Sequence, residues 1–377
     1  MRALAGEIKA LGQTVLVFQG GGALGAYQAG VYQALQEAGV EPDWVIGTSI
    51  GAINASIIAG NRAEKRLERL HEFWNRMEQA SFFGVPNNWM GQFARNLHTI
   101  GSGLPGFFRP NPLAFLSPHS HLGADGAGYY SVSPLRETLS GLVDFDLVNQ
   151  GDTRLTVGAS CVSNSQMRYF DSRDEKLSLE HVMASGALPP AFPAVCIDGE
   201  YYWDGGILSN TPVEAVFDDN PRKDSLVFAV HIWNPDGPPP KTIWEVMNRQ
   251  KDVQYSSRSA SHIKRQRQIH RLRHVVAELA KRLPADIASD NAVRELASYG
   301  CLTRMHVVRL LAPNLPGEDH LKDIDFSAEG IRQRWEAGYR HTLDTLAKAP
   351  WREPHDPMEG FILHEACGGQ MVEKPMM

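Results

Sequence analysis

Residues 47–51 read Gly-Thr-Ser-Ile-Gly, a G-x-S-x-G string between the apolar run 44–46 and the sequence IGAINASIIAG. A strand leading into a tight turn and then a helix is the context this string requires to expose a serine hydroxyl as an acyl-attacking nucleophile. The flanking Gly47 and Gly51 allow close backbone approach around a strained Ser49, and the helix N-terminus favours negative charge there. The plainer reading makes Ser49 a helix N-cap. Upstream, VFQGGGALG carries Gly20-x-Gly22-x-x-Gly25. Such a run presents backbone N–H groups to an anion, either a dinucleotide pyrophosphate or the oxyanion of a tetrahedral intermediate.

A serine nucleophile needs a base. The chain has fourteen histidines, so a Ser-His-Asp triad must be weighed. His231 falls inside an apolar strand pattern, and His262, His270 and His274 belong to a basic helical stretch. Asp204, in YYWDGGIL, is the better candidate, because it follows a strand directly and Gly205-Gly206 turns the chain sharply behind it. Asp198-Gly199 serves as a comparison, since a hairpin turn between two short strand runs accounts for it fully. Aspartate is ordinarily too acidic to accept a serine proton at neutral pH, so Asp204 must be raised, for instance by burial beside Trp203.

Those residues need elements to hold them. Strands are expected at 14–18 and 43–47 and helices at 26–38, 50–59 and 62–77, a βα rhythm that implies a mainly parallel sheet. The stretch 81–130, rich in Gly, Pro, Asn and aromatics, reads as a lid or entrance wall. A helix at 134–141, strands at 154–162 and 166–172, a helix at 178–186, the 198–199 hairpin and a strand at 226–233 follow. NPDGPPPK at 234–241 is a linker, beyond which lie long helical patterns, one strand at 305–311 and a helix at 328–347. The tail from 351 shows no pattern. This divides the chain into an α/β domain at 12–235, a mostly helical C-terminal extension at 241–350 and an irregular tail at 351–377.

Nucleotide binding fits poorly. A dinucleotide site needs an acidic residue at the end of the second strand. Glu41 and Asp43 precede that strand, and its end carries Gly47-Thr48-Ser49 instead. A net charge of −6 argues against nucleic acid as a partner. Cys161, Cys196, Cys301 and Cys367 are widely spaced and read as free thiols of a reducing compartment. His119-Ser-His121 with Asp125 lacks a structured third ligand, so no metal site is expected. No apolar run reaches the length of a membrane span and the first residues do not read as a signal peptide. The expectation is a cytoplasmic protein with at most peripheral membrane contact. That contact would run through 81–130 or through 258–283, which holds eight Lys and Arg against one Glu with Ile269, Leu272, Val276, Leu279 and Leu283 at helical spacing. The bland alternative packs that helix on its own domain with a solvated basic face.

GGGALG, GTSIG, DGG and the Pro-rich ASGALPPAFPAV occur in that order over residues 12–235, and together they resemble the patatin-like phospholipase family. RWEAGYRHTLDTL, in the last long helix, is similar to the C-terminal extension of a bacterial subgroup. The resemblance implies a three-layer α/β/α domain and serine hydrolysis of lipid carboxylic esters without metal or organic cofactor. It implies Ser49 as nucleophile, Asp204 as base and Gly20, Gly21, Gly22 and Gly25 as the oxyanion block. Leu24 departs from the pattern, standing where many members carry Arg or Lys, which leaves backbone amides and the helix dipole to hold the oxyanion. A non-catalytic lipid- or granule-surface protein on the same fold is the alternative.

Overall fold

The computed structural model describes residues 2–78, 99–116, 119–315, 318–356, 358–367 and 370–371. Strand β1 (Gln13–Phe18) sets the architecture. Its Val15 and Val17 join one apolar cluster with Val213, Phe217 and Ile263, while Leu16 and Phe18 join another with residues of helices Ala26–Glu37 and Ile50–Ala59. A strand covered on both faces needs a continuous apolar run rather than alternation, which is what TVLVF supplies. Three layers, helices on both sides of a sheet, follow directly.

The remaining strands are β2 (Trp44–Thr48), β3 (Arg109–Pro110), β4 (Tyr130–Ser131), β5 (Arg154–Cys161), β6 (Met167–Asp171), β7 (Val195–Ile197), β8 (Glu200–Asp204), β9 (Ser225–His231), β10 (Met305–Leu311), β11 (Phe361–Cys367) and β12 (Gln370–Met371). The main sheet runs β12-β11-β10-β9-β1-β2-β5-β8-β7, with β6 also on β5, and β3 pairs with β4 separately. All joints from β11 to β5 are parallel, whereas β6, β7, β8 and β12 add antiparallel edges. β1 lies between early β2 and late β9, so the chain order reverses there and a crevice opens at the strands' C-terminal ends.

Asp198 and Gly199 both take positive φ, 51° and 86°, in the two-residue turn joining β7 to β8. Asp43 accepts the Thr14 amide at 2.7 Å, at the N-terminal end of β2 and away from the crevice.

The part beyond 241 carries more sheet than its sequence suggests. β10 continues the parallel sheet from β9, as expected at 305–311, and β11 and β12 extend it into the tail. Helix Ala328–Lys348 lies on helix Ala26–Glu37, where Trp335 donates to Gln33 at 2.6 Å and the Tyr27 hydroxyl meets His341 Nδ1 at 2.6 Å. Helix Ile243–Ala280 covers the other face through Ile263. It buries Ile263, Gln266, His270 and His274, whereas Leu272 and Leu279 are 66% and 59% exposed. The apolar stripe read from the sequence is therefore not the docking face. Beyond His270, whose Nε2 donates to Thr303 O at 2.8 Å, the helix runs past the sheet and its leucines meet solvent.

Candidate active site

Ser49 links β2 to helix Ile50–Ala59 with φ 57° and ψ −126°, a strained elbow for a residue with a side chain. Gly47 and Gly51 permit it by close approach: a Cβ on Gly47 would lie 2.2 Å from Gly51 O, and one on Gly51 2.4 Å from Phe18 O. The Ser49 amide donates to Ser185 Oγ at 3.0 Å, and Ser185 in turn donates to Gly158 O at 2.6 Å. Ser185 is fully buried, so the elbow is pinned to β5 from below.

Sheet register delivers the carboxylate. Thr48 pairs with Gly158 across β2 and β5, and Ala159 pairs with Asp204 across β5 and β8. Two strand spacings thus bring residues 155 positions apart in sequence together, and the Asp204 carboxylate comes to lie beside the Ser49 side chain, both lining one cavity. Gly206 N donates to Asp204 Oδ1 at 2.7 Å. Burial pushes Asp204 up to about 6, while the nearby Ser49 hydroxyl and the Gly206 N–H pull the other way. Burial wins because removing a carboxylate from water penalises its charged form more than two donors compensate.

The glycine block faces the same crevice. Gly20 is held on both sides of its peptide: its N–H donates to Asn210 O at 3.1 Å, and its carbonyl accepts Asn210 Nδ2 at 3.0 Å and Trp233 Nε1 at 2.7 Å. Ala23 N donates to Asp323 O at 2.8 Å and Leu24 N to Gly21 O at 3.2 Å. Among the described residues no acceptor takes the Gly21 and Gly22 amides. Gly22 has φ +55°, with Asp323 O 2.2 Å from where a Cβ would stand, so glycine is required for the extension to close over it. Gly25 lies off the cavity, against Ile50 and Trp74. Leu24 is buried in the core and likewise does not line the cavity.

Ser49, Asp204 and Gly20–Gly22 share one cavity of about 200 Å³. Its walls are apolar and come from four parts of the chain: Ile53, the 99–130 stretch (Phe107, Phe108, Tyr130), the Pro-rich block (Leu188, Phe192) and the extension (Ile324, Phe326). No described Lys, Arg or His lines it, and its carboxylates are Asp204 and Asp323. The extension is thus part of the site wall. Lys251 pairs with Asp323 at 2.6 Å, and buried Lys322 pairs with Asp252 at 2.7 Å, tying this wall to helix Ile243–Ala280. Residues 81–98, the first part of the expected lid, lie outside the described residues. Among the described residues no three His, Cys, Asp or Glu side chains gather as metal ligands, and no helix is long and apolar enough to cross a membrane.

Sequence reasoning missed Ser185, Asn210, Trp233 and Asp323. Ser185 falls within the Pro-rich block and Asn210 lies six residues past Asp204, so both were within reach of the motifs. Nothing local marks Trp233 or Asp323.

A family model described as patatin-like phospholipase matches residues 16–217, and one described as patatin phospholipase matches 253–358. The chain is 26% identical over 266 residues to a lysophospholipase nte1 of Aspergillus terreus, covering 62% of this chain but 14% of that protein. Human patatin-like phospholipase domain-containing protein 6 is 44% identical over 64 residues, 17% of this chain and 5% of its own. The chain therefore spans only a small part of the curated relatives it matches. The crystal structure of VipD from Legionella pneumophila aligns at a TM-score of 0.39 and 17% identity, over 93% of this chain and 71% of that one.

Proposed function

The chain belongs to the patatin-like phospholipase family, and with it to the lipid ester hydrolases; from that premise we propose that hydrolysis runs through a Ser49–Asp204 dyad. The observation that carries the reading is a single cavity in which Ser49 lies beside a buried Asp204 raised to about 6 and beside two amides that have no acceptor among the described residues. Ser49 Oγ attacks the ester carbonyl carbon while its proton passes to the Asp204 carboxylate. The oxyanion is held by the Gly21 and Gly22 N–H groups, with Gly20 serving as their anchor through Asn210 and Trp233. Collapse breaks the ester C–O bond, and the leaving alkoxide takes the proton from Asp204. Water then gives a proton to Asp204 and attacks the acyl-serine; collapse returns that proton to Ser49 Oγ and frees the carboxylic acid.

A carboxylate near 6 is largely ionised at neutral pH yet more basic than free aspartate, which suits a general base. The buried Leu24 leaves no cation in the block, so backbone dipoles carry the oxyanion alone. The aromatic walls suit an acyl chain. Relatives named lysophospholipases make lysophosphatidylcholine the first substrate to test, beside diacyl phospholipid, neutral glyceride and hydroxyacid polyester. A panel of these esters, run with wild type and Ser49→Ala, tests the proposal. Turnover of at least one by wild type and of none by the variant is expected, and retained turnover in Ser49→Ala would overturn it.

A further inference from the structure

The apolar lining of the cavity does not stop at its mouth. Ile100, a wall residue, is 40% exposed, and its carbonyl accepts the hydroxyl of Tyr130, another wall residue, at 2.8 Å. Next to Tyr130, Tyr129 pairs with Phe115 at 5.4 Å, and Phe115 is 60% exposed. Helix Ile243–Ala280 reaches the cavity on the extension's side, where its Tyr255 lines it, and its first part leads away from there beyond the C-terminal ends of the strands. Its Trp244 ring lies 4.2 Å from His320, and Lys251 pairs with the wall residue Asp323. Trp244 and Met247, on that same side, are 52% and 43% exposed.

The helix direction separates this rim from the basic stretch. Tyr255 lines the cavity and its carbonyl accepts Gln19 Nε2 at 3.1 Å, at the C-terminal end of β1. His270 reaches Thr303, just before β10 begins, so the helix runs antiparallel to the parallel strands. At 1.5 Å per residue, Leu272 lies roughly 40 Å from Met247. Leu272, Leu279 and the basic residues from Arg271 onward therefore sit at the end of the fold remote from the mouth.

Resting on the lipid-ester reading above, we propose that the rim formed by Ile100, Phe115, Tyr129, Trp244 and Met247 seats on the surface of a lipid aggregate, and that the basic helix end stays off it. Apolar patches continuous with a binding cleft mark interaction surfaces, and Trp and Tyr favour the boundary between headgroups and chains. An acyl chain passing from aggregate to cavity would then cross no water.

Cosedimentation with phosphatidylcholine vesicles, with and without phosphatidylglycerol, tests this, alongside hydrolysis of vesicle lipid and of a water-soluble short-chain ester. Phe115→Ser with Trp244→Ser should weaken vesicle binding and vesicle hydrolysis about tenfold or more while soluble-ester turnover stays within about twofold, since two buried aromatic contacts are lost. Leu272→Ser with Leu279→Ser should change neither. Should the rim variant fold poorly, brominated phosphatidylcholine should quench wild-type tryptophan fluorescence and quench Trp244→Phe less. The proposal is overturned if wild type ignores both vesicles, if the helix-end variant alone loses binding, if Trp244→Phe is quenched equally, or if the rim substitutions dissolve a dimer instead. Loss of turnover on the soluble ester by wild type would sink the hydrolase reading and leave the vesicle-binding outcome to be read separately.

Discussion

Replacing Asp204 by Asn should make the protein inactive and, above pH 6, more stable. Burial holds the carboxylate at about 6 against an ordinary 3.8. At about 1.36 kcal/mol per decade, ionising it inside the fold costs about 3 kcal/mol. The sign follows from proton counts. Between 3.8 and 6 the folded protein keeps a proton that the unfolded chain has released, so wild-type stability falls as pH rises through that window. Asparagine never ionises, and its amide oxygen can still accept the Gly206 N–H. The variant should match wild type near pH 3.5 and exceed it by about 3 kcal/mol near pH 8, a Tm gain of about 4 °C for a chain this long. Calorimetry of both proteins across pH 3.5–8, with ester turnover beside it, reads both effects. A Tm difference that does not change with pH, or a variant less stable than wild type at pH 8, would refute the argument that Asp204 is ionised at a cost.

The same carboxylate should give kcat/KM an acid limb with its inflection near 6, activity falling as pH drops; a flat profile from pH 5 to 8 would contradict a base at Asp204. Asn210→Ala removes the side-chain donor to Gly20 O, so kcat should fall about 10- to 100-fold with KM little altered, in steady-state kinetics on a soluble ester. Ser185→Ala strips the acceptor from the Ser49 amide and the donor from Gly158 O. It should cost about 1–3 kcal/mol in denaturant unfolding and slow Ser49 labelling by a fluorophosphonate.

The strand run 14–18 and the GTSIG turn were legible because their signals are local: a strand buried on both faces needs an unbroken apolar run, and an elbow needs small neighbours. Asp204 was legible as a residue whose D-G-G turn no hairpin explained. The role of the extension was not. β11 comes from a tail whose apolar residues give no period, and Asp323 reaches the glycine block only through tertiary packing. The leucines at 272 and 279 face solvent, because amphipathic spacing states that a face exists and not which way it points. Ile263, Gln266, His270 and His274, which the helix buries, are chosen by what lies opposite them.

Ser49 as nucleophile with Asp204 as its base has a distinct signature in covalent labelling. Peptide mapping after exposure to a fluorophosphonate, with rates followed across pH, tests it most directly. A single adduct on Ser49 is predicted, formed at a rate that falls as pH drops through about 6 and that collapses in Asp204→Asn. An adduct on another residue, or labelling of Ser49 indifferent to both pH and Asp204, would contradict it.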